Sequence, residues 1–396
     1  MYWFAKLIII FTFAKNYYYI FKYIIVMTIR NQFSSILIVT FLLSCNSANN
    51  SISSISNIDE DFPVTEKLEF KPFKKYDILA RGGCVIDDSV LWHFERGKQD
   101  FGSCYDLNTG EKLAVIASRG NAANELAELE WFNMVGDSVL LYANRNTIKT
   151  FAIKDIVSNM PAGEREFSVT TSPDSILASR MTKLPNGSAL ATIRPVLFYD
   201  IGKRNEINKK SVVVFDNNKA NAYETITYDS FDIEKAKGEQ LAANDLIKYA
   251  YAQGSIAVKN NDTAVFSVNH QFIMYTFDIN NGNVVNEKRY TKIQRKDGKE
   301  ASFTTINDRN LSIGAMKVTD KYILCGVDGY LSEKDKESGL RKKAIFVFDW
   351  NLNPIKKFEL PNRKKGYYTI SNDCSSVYFC EYNEEGLTLY KADLTF

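Results

Sequence analysis

The chain has 396 residues, 45% hydrophobic and 24% charged, which suits one large all-β domain with a sizeable core and excludes a chain disordered throughout. Residues 1–44 carry Lys6, Lys15, Lys22 and Arg30 and no acid; taking those four from the 49 basic residues leaves 45 against 47 acidic, a net charge near −2. That balance excludes nucleic acid as a partner, because its binding rests on concentrated basic surface.

Residues 1–26 are apolar and aromatic, as in Leu7-Ile8-Ile9-Ile10 and Tyr17-Tyr18-Tyr19. Met27 then opens a segment of signal-peptide size. Two readings stay open: translation starts at Met27 and 1–26 is an over-extended start, or 1–26 is a transmembrane helix. Arg30 precedes the apolar run Ile36-Leu37-Ile38-Val39-Thr40-Phe41-Leu42-Leu43, which is too short to span a bilayer and reads as the core of an export signal. The run ends in Leu42-Leu43-Ser44-Cys45, which resembles the bacterial lipobox. The resemblance implies cleavage before Cys45 and a diacylglycerol on its thiol. Several acyl chains, at roughly 0.8 kcal/mol per buried CH₂, hold a protein stably on a membrane. The expectation is therefore a cell-envelope lipoprotein, on the outer membrane, facing the periplasm or the surface. Residues 1–44 are the signal, and the polar stretch after Cys45 makes 45–64 a flexible tether.

Residues 65–396 carry a degenerate repeat. Short polar turns recur at Asp87-Asp88-Ser89, Gly136-Asp137-Ser138, Asn186-Gly187-Ser188, Asn261-Asp262-Thr263, Asp320-Lys321 and Asn372-Asp373, each followed by an apolar strand. A second landmark follows each turn, a strand ending in an aromatic residue: Tyr105-Asp106, Phe151, Phe215-Asp216, Phe277-Asp278, Phe348-Asp349, and Tyr390 near Asp393. Asn and Gly then often turn the chain, since they tolerate positive φ and Asp caps its own turn. The unit is four antiparallel strands over about 50–60 residues, a propeller blade. Val212–Phe215 and Ile345–Phe348 are apolar on both faces, as a blade packed between two neighbours requires.

The fold class is thus all-β: a six-bladed β-propeller of four-stranded antiparallel blades. The last unit ends one strand short, and Lys67-Leu68-Glu69-Phe70-Lys71 is expected to supply the missing outer strand and hide the open edge. From Asp232 to Tyr249 a helical spacing of apolar residues suggests an insertion between blades three and four.

The segment from Ala117 through Arg119, Gly120 and Glu125 is similar to a motif of the TolB-like six-bladed propeller lipoproteins, which read G-R-G-P-G-E there. Arg119, Gly120 and Glu125 match; the Pro-Gly pair is replaced and the spacing is longer. The resemblance spans roughly Thr65 to Phe396 and implies a propeller, not a reaction.

Five cysteines follow Cys45, at 84, 104, 325, 374 and 380. Their spacing matches no zinc pattern, and buried free thiols are the expectation, although an oxidising compartment permits a disulfide that spacing cannot assign. Two histidines, His93 and His270, cannot make a three-histidine metal site, and nothing calls for a cofactor. The long connections lie at one end of the blades, and binding residues concentrate in such loops. The candidate ligand-binding face holds Arg81, His93, Arg119, Glu125, Arg145, Arg194, Tyr199 and His270, while Arg119 and Glu125 have an alternative role as an ion pair between blades. No catalytic constellation stands out. The expected function is a membrane-anchored binding or scaffold module for an envelope protein or glycan. The alternative is a glycan lyase or hydrolase using His93 or His270 on that face.

Overall fold

The computed structural model describes residues 58–396 apart from 80–81, 88, 96–99, 123–124, 130, 144–146, 162–163, 172–177, 194–209, 217–218, 226–253, 269–271, 291–312, 331–341 and 364–365. The expected signal segment 1–44, Cys45 and the expected helix at 232–249 lie outside the described residues.

The strands form six sheets. Blade one is Gly83–Asp87, Val90–Phe94, Ser103–Asp106 and Lys112–Val115; blade two is Trp131–Val135, Ser138–Ala143, Thr147–Ala152 and Phe167–Thr171. Blade three is Ala178–Lys183, Ala189–Ile193, Val212–Phe215 and Ala220–Tyr223; blade four is Gly254–Val258, Thr263–Val268, Ile273–Asp278 and Val284–Arg289. Blade five is Ile313–Val318, Tyr322–Tyr330, Lys342–Asp349 and Pro354–Leu360. Blade six is Tyr367–Ile370, Ser376–Asn383 and Gly386–Asp393, completed on its outer side by Lys71–Tyr76 from the other end of the domain. The six expected turns each join the first and second strands of a blade, and the six aromatic landmarks all fall in third strands.

Ring closure shows in the packing. Among the described residues there are six hydrophobic clusters, and each lies between two neighbouring blades, the last joining blade six (Tyr378, Leu387, Leu389) to blade one (Ile86, Leu91). Strand alternation produces this. In Ala189–Ile193, Leu190 packs toward blade four, whereas Ala189, Ala191 and Ile193 pack toward blade two, because successive side chains point to opposite faces. Every residue of that strand is buried, so it reads as a continuous apolar run.

The closure strand lies further along than expected. Lys71–Tyr76 pairs antiparallel with Gly386–Asp393, from Lys71 opposite Lys391 to Tyr76 opposite Leu387. Of the expected residues 67–71, only Lys71 belongs to it. Thr65–Lys67 instead adds a short fifth strand, parallel to Pro354–Leu360, on blade five, and Leu68 drops into the groove between blades five and six. Pro72 sits at the register irregularity of the closing pair, where a missing N–H is tolerated.

The packed domain also begins earlier than residue 65. A short helix, Ile58–Asp61, places Ile58 (0% exposed) and Phe62 (6%) into the cluster between blades four and five. Phe62 lies 5.0 Å from Phe346 and 5.2 Å from Phe348, ring centre to ring centre, and Asp61 pairs with Lys288 at 3.0 Å.

The tight turns satisfy themselves. Asp106 accepts N–H bonds from Asn108 (2.9 Å) and Thr109 (2.6 Å), and Gly110 follows at φ 82°. Asp278 and Asp349 do the same for their own turns, as turn-forming carboxylates should. At Asp373 burial pushes the carboxyl up, but hydrogen bonds from Ser371, from Ser375 and from backbone N–H groups together hold it below the usual range. A depressed carboxyl stabilises the fold above its unfolded value and loses that contribution as pH falls through the folded value. Asp373→Asn is therefore expected to lower stability at pH 7 by about 0.5 kcal/mol, a figure reduced for solvent screening, and the difference is expected to fade as pH falls through the depressed folded value. Urea melts across that range check it; a difference that persists in acid would mean that the carboxylate charge is not the cause.

Candidate functional site

Strand direction sorts the two ends of the ring. The first-to-second and third-to-fourth strand turns lie at one end; the second-to-third connections and the crossings between blades lie at the other. At that loop-rich end, on the seam between blades six and one, polar side chains converge around Gly82.

Gly82 precedes the first strand of blade one, and its position needs glycine: a Cβ would run into the Phe94 carbonyl and the His93 imidazole. The Gly82 carbonyl accepts hydrogen bonds from Tyr367 Oη (2.9 Å) and Tyr382 Oη (3.0 Å). Tyr382 Oη also lies 3.0 Å from His93 Nε2 and 3.5 Å from Cys84 Sγ. A phenol has one hydrogen, and here it goes to the Gly82 carbonyl, so His93 Nε2 is the donor to Tyr382 Oη. Thr369 Oγ1 donates to the Cys84 carbonyl at 3.1 Å, a further link across the seam.

The electrostatics make these groups donors rather than bases. Burial, and then the neighbouring thiols, push Tyr367 and Tyr382 far above the usual phenol range. Cys84 is drawn down by a hydrogen bond from Cys380, against its own burial; Cys380 is pushed up, chiefly by burial. A phenol held neutral cannot take a proton from a substrate at neutral pH. His93 is 1% exposed, so its ring is spent on the seam rather than presented to solvent.

Arg119 and Glu125 share the crossing from blade one to blade two, but among the described residues no ion pair joins them. The exposed Arg119 guanidinium lies over the Phe101 ring at 4.5 Å. The Glu125 carboxylate accepts the Ala122 N–H at 3.0 Å and lies against Gly120, where a side chain would collide with it. The crossing is knit by Gly120 N–H to Leu126 O (3.1 Å) and Leu126 N–H to Ser118 O (3.0 Å), and Lys149 of blade two donates to the Glu125 carbonyl at 2.8 Å. Arg81, Arg145, Arg194, Tyr199 and His270 lie outside the described residues.

Sequence reasoning did not single out Tyr367, Tyr382, Cys84 or Cys380 as neighbours of His93. The one local signal was the Gly82-Gly83 doublet before a strand, which marks close backbone approach.

At the turn end, Lys317 Nζ donates to Asn372 Oδ1 at 2.9 Å. Burial pulls its amine down, opposed by Cys374 and Asp87. Among the described residues no group of three or more His, Cys, Asp or Glu side chains converges as a metal would need.

Fold and packing together define a closed six-bladed β-propeller with one turn-built end and one loop-rich end. No family model matches the chain, and no curated protein matches it. Among solved structures it is similar to a member of the DUF4221 family from Bacteroides vulgatus, at 10% identity and a TM-score of 0.46, covering 84% of this chain and 97% of that one. It also matches the computationally designed Ika8 protein at 10% identity and a TM-score of 0.33, covering 79% of this chain and 70% of that one.

Proposed function

We propose that this chain is a lipid-anchored envelope protein of the TolB-like propeller type, which binds an envelope protein or a glycan with its loop-rich end. One observation carries the reading. The long connections between Ile193 and Val212, Tyr223 and Gly254, Arg289 and Ile313, and Tyr330 and Lys342 all depart from the same end of the ring. The opposite end is built of short turns whose polar groups bond to one another, apart from the connection from Ala152 to Phe167 in blade two, which carries the helix Ile153–Val157. A rigid scaffold that carries its variable chain length on one face is arranged for recognition there.

The binding reading is favoured over glycan cleavage because the polar groups gathered around His93 are used up in holding the seam. Tyr382 and Tyr367 hold their protons, and His93 is covered.

The test separates the two ends. The lipidated protein is cross-linked in its own envelope, and a glycan array is probed in parallel. The triple variant Arg194→Ala/Tyr199→Ala/His270→Ala is expected to weaken whichever interaction is found by about 10-fold or more, as truncation of binding hot spots does. The turn-end variant Asn281→Ala should leave it unchanged. Turnover of a glycan that disappears in His270→Ala would replace this reading with the enzymatic one. For the anchor, Cys45→Ser is expected to abolish fatty-acid labelling and release the protein from membranes; a labelled variant would end the lipoprotein reading.

A further inference from the structure

The seam that holds His93 also holds two cysteines, and nothing in the binding reading uses them. Cys84 lies in the first strand of blade one and Cys380 in the second strand of blade six. Both are buried, at 5% and 0% exposure, in the one hydrophobic cluster these two blades share. The backbone brings them together. Cys380 pairs across its sheet with Tyr367, whose hydroxyl donates to Gly82, and Thr369, two residues on from Tyr367, donates to the Cys84 carbonyl. Tyr382, two residues on from Cys380, reaches the Cys84 sulfur at 3.5 Å. Cys380 and Tyr382 lie on the same face of their strand, so Cys380 faces blade one within the cluster that holds Cys84. Cys104, Cys325 and Cys374 are also free and buried, but they lie in three other hydrophobic clusters or blade regions and none faces a second cysteine across the seam.

We infer that Cys84 and Cys380 are a disulfide-forming pair, a covalent staple across the seam where the propeller closes. The closing strand Lys71–Tyr76 holds blade six together on its outer side; the staple would tie blade six to blade one on the inner side. A cross-link between positions so far apart in sequence constrains the unfolded chain strongly.

The chemistry needs an oxidant, and the class that serves is a disulfide-bearing one: an exported thiol–disulfide oxidoreductase or oxidised glutathione. The Cys84 thiolate attacks one sulfur of that disulfide, forms a mixed disulfide and releases the other sulfur as a thiolate, which takes up a proton. The Cys380 thiol then gives its proton to water, and its sulfur attacks the Cys84 sulfur. The Cys84–Cys380 bond forms, and the oxidant leaves as the second thiol. Two electrons and two protons pass to the oxidant, which is reduced to its dithiol. The roles of Cys84 and Cys380 in these two steps can be exchanged, because the first attack precedes closure of the seam. Burial of both sulfurs means that oxidation happens while the seam is still open, before the ends of the chain pair.

The inference rests on the export reading only for the supply of oxidant in the cell, so two arms separate the two. In the first, full-length protein is isolated from envelopes with free thiols alkylated at lysis, then digested without reductant. The expected result is a linked peptide pair carrying Cys84 and Cys380, with Cys104, Cys325 and Cys374 alkylated. In the second, purified full-length protein is refolded with oxidised glutathione and mapped in the same way. A bridge in both arms supports the pair. A bridge only on refolding supports the pair and counts against export. Alkylated Cys84 and Cys380 in both arms, or bridges to other cysteines, overturn it. As a further readout, reduction of the bridged protein should lower its melting temperature by about 5 °C or more. Cys84→Ser and Cys380→Ser should each match the reduced protein, and reductant should not shift them further. A Cys84→Ser melt that still falls on reduction would place the bridge elsewhere.

Discussion

Tyr76→Ala is expected to destabilise the propeller by about 3–5 kcal/mol, the range for removing a large buried aromatic side chain. Tyr76 ends the closing strand and is 2% exposed. Its ring packs in the cluster between blades six and one, edge-on to Tyr105 at 6.2 Å. Its hydroxyl donates to the Leu107 carbonyl of blade one at 2.8 Å. The substitution therefore opens a cavity and orphans a buried acceptor at the one place where the two ends of the domain must meet. Lys75→Ala, one residue earlier on the same strand, touches an exposed ion pair with Glu385 and should change stability by under about 0.5 kcal/mol. Urea unfolding of both variants checks this. If Tyr76→Ala is as mild as Lys75→Ala, the closing strand is not what holds the ring shut.

A chain beginning at Thr65 is expected to be less stable than one beginning at Ser53 by about 4 kcal/mol, from the loss of two buried apolar side chains. The shorter chain keeps both N-terminal strands but loses Ile58 and Phe62 from the groove between blades four and five, and with them the Asp61–Lys288 pair. It also uncovers the faces of Phe346 and Phe348, an apolar groove that favours association. Thermal melts and light scattering of the two chains measure both consequences. Ile58→Ala and Phe62→Ala sit one helical turn apart in a shared cavity, so their effects should not add. Equal stability of the long and short chains would return residues 58–64 to the tether.

The number of blades was legible because turn chemistry is local. Asp106 with Gly110, and Asp278 with Gly282, bond within a few residues of themselves, so those turns form wherever the motif occurs. The third-strand aromatics were legible for a related reason: a strand buried on both sides has no polar face, and Val212–Phe215 and Lys342–Asp349 carry that pattern. The missing last strand could be counted, but its register could not. Leu68 and Phe70 alternate as strand residues do, yet they pack in the groove beside blade six while Phe73 and Tyr76 pack against the seam. Alternation marks which residues are buried without saying against which neighbour. Ile58 and Phe62 were hidden among Ser, Asn and Asp, where composition favours a tether.

The candidate site divides along the same line. Residue order alone placed His93 near the loop-rich end, and Arg119 with Glu125 in one crossing. It could not show that Glu125 folds over Gly120, or that His93 is covered by Tyr382, 289 positions away. Short-range rules settled the strands, the turns, the count of blades and the two unlike ends of the ring. Ring closure settled the rest, because it sets Gly82 and Cys84 from near the start of the domain against Tyr367, Cys380 and Tyr382 from near its finish. A contact of that range leaves no periodicity in the chain; it exists only once six blades have been packed in a circle and the first is pressed against the last.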